Sequence, residues 1–202
     1  PKLSITCFIS TVPALQWARE NNCSWNKKIC ETIAKKGYLD VLQWVRAQNP
    51  PCSWDETTCA EAAYNGHLSV LQWVRAQNPP CSWNERTCAW AALGGHLDVL
   101  KWVRKNGCPW HEETCAMAAY RGHLDMLKWA RENECPWDEE TSSEAACGGN
   151  LDVLMWVRKN GCPWDESTCS EAACEGHLDV LKWARENGCP WDEITCTKAG
   201  LG

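Results

Sequence analysis

The feature that most constrains this chain is a repeat. Its tryptophans fall into two series, Trp17, Trp44, Trp73, Trp102, Trp129, Trp156, Trp183 and Trp25, Trp54, Trp83, Trp110, Trp137, Trp164, Trp191, each recurring every 27 or 29 residues. One motif is thus written seven times. The longer steps coincide with the connections Gln48-Asn49-Pro50-Pro51-Cys52 and Gln77-Asn78-Pro79-Pro80-Cys81, where later copies have the shorter Asn106-Gly107-Cys108-Pro109, so length varies in one loop only. A unit this small cannot enclose its own apolar side chains. Neighbours must stack and share a core.

The copy that starts at Trp164 shows the local code. Asp165 suits an N-cap, because its carboxylate can accept an orphan backbone N–H, and Glu166 suits the positive end of the helix that follows. A first helix is expected over Glu166 to Glu175, stopped by Gly176 in the left-handed conformation. Leu178, Val180, Leu181, Trp183 and Ala184 then form an apolar stripe at helical spacing, with Asp179, Lys182, Arg185 and Glu186 facing water. Asn187-Gly188 close this second helix and Pro190 prevents its continuation. The fold class expected is all-α, a helical solenoid of about seven stacked helix-turn-helix units, with residues 1–202 forming one continuous domain.

Composition supports a globular chain: 202 residues, 23% charged and 45% hydrophobic, with no transmembrane span or signal peptide in view. The net charge of −6 argues against a nucleic-acid backbone or an anionic membrane as partner. The chain starts without Met, its first unit has only a degenerate start from Leu3 to Ile9, and the last stops at Leu201-Gly202 within a first helix. A longer parent protein or end-to-end self-association is therefore expected, since solenoids need polar terminal caps.

The segment Ala62-Ala63-Tyr64-Asn65-Gly66-His67-Leu68-Ser69-Val70-Leu71 resembles the second half of an ankyrin repeat, and Ala91-Ala92 with Gly95-His96-Leu97, Ala118-Ala119 with Gly122-His123-Leu124, and Ala172-Ala173 with Gly176-His177-Leu178 keep the same register. The departures are as regular as the matches. The family's T-P-L-H start is replaced by T-C, with Cys59, Cys88, Cys115 and Cys169 at the buried Leu place. About six residues are missing before Thr57-Thr58-Cys59, where the family projects a β-hairpin finger, so short turns or no hairpins are expected. The resemblance implies a protein-interaction scaffold whose first helices line the binding surface.

Most of the sixteen cysteines follow the repeat as C-x6-C pairs: Cys23 and Cys30, Cys52 and Cys59, Cys81 and Cys88, Cys108 and Cys115, Cys162 and Cys169, Cys189 and Cys196, while Cys135 has Ser142 as its counterpart. Zinc requires four ligand atoms about 2.3 Å from one centre, and helices stacked roughly 8–10 Å apart cannot bring equivalent thiols together. Metal is not expected, nor any other cofactor. Buried reduced thiols are the favoured reading, because Cys packs as a small apolar residue and Ser142 breaks one pair without other change. The spacing is also compatible with a disulfide inside each unit. Reduced thiols imply an intracellular, cytoplasmic setting. Cys147 and Cys174, at the ends of first helices, are the best candidates for reactive thiols, although incidental surface cysteines are the favoured reading.

His67, His96, His123 and His177 share one register after the turn Gly, with Tyr38 and Asn150 in the same place elsewhere, which marks a structural element rather than four active sites. His111 stands in for an N-cap Asp. Acid pairs such as Asp55-Glu56 and Asp138-Glu139 suit helix starts. No phosphate loop, nucleophile elbow or paired His-Glu metal motif occurs, and nothing supports an enzyme. The tryptophans could stack on bases or sugars, but their period and apolar neighbours favour core packing.

A solenoid can vary its solvent-facing positions without disturbing the core. On the first helices those positions turn aromatic and apolar in the middle of the array, and Trp, Tyr, Arg and Met are enriched at protein interfaces. The candidate partner-binding residues are Tyr64, Trp90, Leu93, Met117, Tyr120 and Arg121. A non-enzymatic scaffold for a protein or peptide is the leading function, and a cysteine-based redox or metal-responsive protein is the alternative.

Overall fold

The computed structural model describes residues 10–21 and 27–192. The sequence features at Leu3 to Ile9, Cys23, Trp25, Cys196 and Leu201-Gly202 lie outside them. The described residues hold thirteen α-helices and no strand, so no β-hairpin finger interrupts the described units. No helix among them is long and apolar enough to cross a membrane.

The chain divides into two compact units, Pro1–Cys108 and Pro109–Gly202. The first contains α1 (Val12–Glu20), α2 (Lys27–Lys36), α3 (Leu39–Arg46), α4 (Glu56–Tyr64), α5 (Leu68–Arg75), α6 (Glu85–Gly94) and α7 (Leu97–Lys105). Here α2, α4 and α6 stack in order, and each also packs against the helix that follows it. The second contains α8 (Glu112–Tyr120), α9 (Leu124–Glu132), α10 (Glu139–Cys147), α11 (Leu151–Lys159), α12 (Glu166–Cys174) and α13 (Leu178–Glu186), with α8, α10 and α12 stacked in the same way. Each unit is a run of helical hairpins, the solenoid that the repeat predicts.

The caps do what their residue types dictate. Asp55, Asn84 and Asp165 accept the backbone N–H two residues on, and His111 does the same through Nδ1, 3.2 Å from the Glu113 nitrogen. His111 is thus a working cap, not merely a tolerated variation. The first helices end on glycines with positive φ, such as Gly66 at 74° and Gly149 at 69°.

First and second helices bury different things. In α4 Cys59, Ala60, Ala62 and Ala63 are all buried, small groups that let stacked helices approach closely. The second helices supply the bulk: Val70, Leu71 and Val74, then Val99, Leu100 and Val103, with Val153, Leu154 and Val157 in the second unit. The tryptophans depart from expectation. Trp54, Trp73, Trp83, Trp102, Trp137 and Trp156 are half-buried and lie outside the core. An indole is too large for an interior floored by Ala and Cys, so it lies across the rim. There the rings of each unit meet edge to face: Trp54 and Trp73 have centroids 5.8 Å apart, Trp83 and Trp102 6.0 Å, Trp137 and Trp156 5.9 Å. Arg46, Arg75, Arg131 and Arg158 stack on Trp54, Trp83, Trp137 and Trp164 at 3.8–4.1 Å, and each donates through Nη1 to a cysteine carbonyl in the turn. This arginine clamp on the closing turn is invisible to a pattern that sees only charged outward positions.

At one repeated first-helix position, five buried hydroxyls have no hydrogen-bond partner among the described residues, those of Thr58, Thr87, Thr114, Thr141 and Thr168. Thr114→Val keeps the shape and removes an unsatisfied donor, so it is expected to leave stability unchanged or raise it by about 0.5 kcal/mol. Urea unfolding checks this, and a loss above about 1 kcal/mol would show that the hydroxyl is in fact bonded.

Candidate functional site

The six partner-binding candidates all lie on or just after first helices, α4, α6 and α8. In the first unit the structure brings together Tyr64 of α4 and Trp90 of α6, edge to face with centroids 6.2 Å apart. Leu93, one turn further along α6, is half-buried. Beside this pair the Lys35 ammonium meets the Glu61 carboxylate at 3.2 Å. A residue equivalent to Trp90 is thus Glu61 on the neighbouring helix, which shows that the fold does not require an aromatic ring there.

In the second unit Tyr120 is exposed, and the Arg121 guanidinium lies 5.6 Å from its ring. Met117, one turn back on α8, is half-buried. The same face carries Glu144, whose carboxyl is pushed up by burial and then by Glu140 and Glu171. Cys147 is pushed up to about 11, chiefly by burial and further by Glu144, Glu171, Glu175 and Cys174. Burial and the surrounding acids disfavour Cys147 as a reactive thiol and leave the reading of it as an incidental cysteine. Cys174 is exposed.

The histidine register is structural. His67 Nε2 lies 3.0 Å from the Lys35 carbonyl oxygen and His177 Nε2 3.0 Å from that of Cys147, so each ring joins its own hairpin to the C-terminal turn of the preceding first helix. Asn150 does the same work by donating to the carbonyls of Ala119 and Tyr120 at 2.9 and 2.7 Å.

The cysteines form a second repeated constellation, with partners that C-x6-C spacing does not reveal. No disulfide links the described thiols. The first-helix thiols Cys30, Cys59, Cys88 and Cys115 are pushed up, chiefly by the neighbouring thiol of the turn that closes the same repeat, Cys52, Cys81, Cys108 and Cys135, and then by burial. The turn thiol donates onward to the N-cap carbonyl of its repeat: Cys81 to Asp55 at 3.2 Å, Cys108 to Asn84 at 3.3 Å, Cys189 to Asp165 at 3.4 Å. Where the helix thiol is replaced, Ser142 takes its place, donating to the Pro163 carbonyl at 2.7 Å with its oxygen 3.5 Å from the Cys162 sulfur. Among the described residues no group of three His, Cys, Asp or Glu side chains is set to hold a metal ion.

Comparison with solved structures decides the fold. The human ASB11 ankyrin repeat domain superposes with a TM-score of 0.58, covering 79% of this chain and 83% of that one at 15% sequence identity. The fold is that of an ankyrin repeat domain. No protein-family model and no curated protein matches the sequence. At this identity the ankyrin likeness is one of architecture, and it is achieved without the T-P-L-H start and, in the described units, without a β-hairpin.

Proposed function

We propose that this ankyrin-like chain is a protein-interaction scaffold that holds a protein or peptide partner through its first helices, with Tyr64, Trp90 and Leu93 as the contact residues of the first unit and Met117, Tyr120 and Arg121 as those of the second, each unit taken by itself. The observation that carries this reading is the Tyr64–Trp90 pair. Two large rings meet on helices otherwise built of Ala, Cys and Thr, at positions where the fold accepts Glu or Lys. Trp, Tyr and Arg in half-buried settings are the usual anchors of protein interfaces. The ankyrin fold itself supports a scaffold role, since a constant core leaves the outward positions of each repeat free to vary. The repeat register runs unbroken in sequence through Cys108 and Pro109, which supports treating residues 1–202 as one domain.

The test starts from partners captured with the wild-type chain. Trp90→Ala and Tyr120→Ala are expected to weaken the captured interaction at least about tenfold each, the scale of an interface hot spot. Their far-UV circular dichroism should match the parent. Unchanged affinity in both variants, with the fold intact, would sink the proposed face.

A further inference from the structure

We propose that the indole rim of the second unit is a docking groove for an acidic, proline-rich peptide in the polyproline II conformation. It is built from second helices and closing turns, and it rests on none of the first-helix residues assigned above.

Two grooves of nearly equal size stand one repeat apart on this rim. One, of about 440 Å³, is lined by Met155, Arg158 and Lys159 of α11, by Trp164 in the turn, and by Trp183 and Asn187 of the next hairpin. The other, of about 450 Å³, is lined by Lys128, Arg131, Glu132, Trp137, Trp156 and Asn160, each 27 residues before its counterpart. The groove is therefore a product of the repeat, and α11 contributes to both copies.

Hydrogen bonding, charge and spacing define the occupant. The indole N–H groups of Trp137, Trp156, Trp164 and Trp183 meet no acceptor among the described residues. An indole can only donate, and a polyproline II backbone, which has no internal hydrogen bonds, offers its carbonyls. Arg158 and Lys159 bring two positive charges and no negative one to the first groove, and Lys128 and Arg131 outweigh Glu132 in the second. On a chain of net charge −6 this rim selects an acidic ligand. The repeat sets the period. Stacked helices lie about 8–10 Å apart, and a polyproline II helix, rising about 3.1 Å per residue with three residues per turn, presents the same face every ~9 Å. Every third residue thus reaches the next groove.

The ring geometry favours proline over a nucleobase. Trp137 and Trp164 each carry an arginine on one face, Arg131 at 4.1 Å and Arg158 at 4.0 Å. Their partners Trp156 and Trp183 are inclined to them by 68° and 63°. Flat stacking needs an open ring face, whereas a proline ridge seats between inclined aromatic rings.

Isothermal titration calorimetry of the full chain with a synthetic peptide of five Glu-Pro-Pro triplets tests this. Saturable binding is expected, weakening as salt is added. Trp183→Ala should weaken it at least about tenfold and Lys159→Glu about fivefold, while Trp90→Ala leaves it unchanged and so separates this groove from the first-helix contacts. Lys159 is exposed, so Lys159→Glu keeps the test open if Trp183→Ala disturbs the fold by circular dichroism. Absence of binding, equal binding of a Lys-Pro-Pro peptide, or equal binding of a peptide with the same residues in shuffled order would overturn the proposal. So would Lys159→Glu without effect, or a single-stranded oligonucleotide that binds more tightly than the peptide and is released by Lys159→Glu.

Discussion

Leu154→Ala is expected to destabilise the protein by about 3 kcal/mol, and Trp156→Ala, two residues along the same helix, by only about 1–2 kcal/mol. By size alone the order should be the reverse. Leu154 is wholly buried on α11 between Val153 and Val157, where its loss leaves a void that small, close-packed neighbours cannot fill. Trp156 keeps part of its ring in solvent, and its replacement forfeits an edge-to-face contact with Trp137 at 5.9 Å and some buried area, without opening the interior. Guanidinium unfolding followed by circular dichroism measures both. If the tryptophan variant is the weaker of the two, the indoles and not the leucines form the core.

Two alanine substitutions at glycines of nearly the same backbone conformation should separate equally clearly. Gly149 has φ 69° and Gly161 φ 84°, so each variant carries the strain of a left-handed Cβ, on the order of 1 kcal/mol. A Cβ at Gly161 meets nothing within 4 Å, whereas one at Gly149 would stand 2.7 Å from the His177 ring. That ring is pinned by its contact with the Cys147 carbonyl. Gly149→Ala must therefore break the link between two hairpins as well, for a total of about 2–4 kcal/mol. Equal melting temperatures for the two variants would show that the histidine moves aside freely. In a His177→Ala background, where the ring is gone, Gly149→Ala should cost only the backbone strain of about 1 kcal/mol, which would locate the fault in the ring.

Much of this architecture was legible residue by residue. Asp165 as cap and Leu178 as the start of the second helix fall where the local pattern puts them, and the first helix over Glu166–Cys174 ends one residue short of expectation, with Glu175 as its C-cap. The structural role of the His register was legible too, because a residue that recurs in four hairpins and yields to Tyr38 or Asn150 in two others must serve the hairpin. The Tyr64–Trp90 contact was half legible: both residues stand out in the variable positions, but nothing along the chain says that their rings touch.

The sequence alone therefore determined the period, the helix limits and the turn glycines, since these depend on hydrogen bonds and dihedral preferences within a few residues. Only the tertiary structure decided which apolar residues are interior, placing Leu and Val inside and the indoles on the rim under arginine, because depth depends on the space left by neighbouring helices. It also decided that the Cys81 thiol meets the Asp55 carbonyl, since that contact is made by closing a helical hairpin, which brings together groups that no local spacing connects.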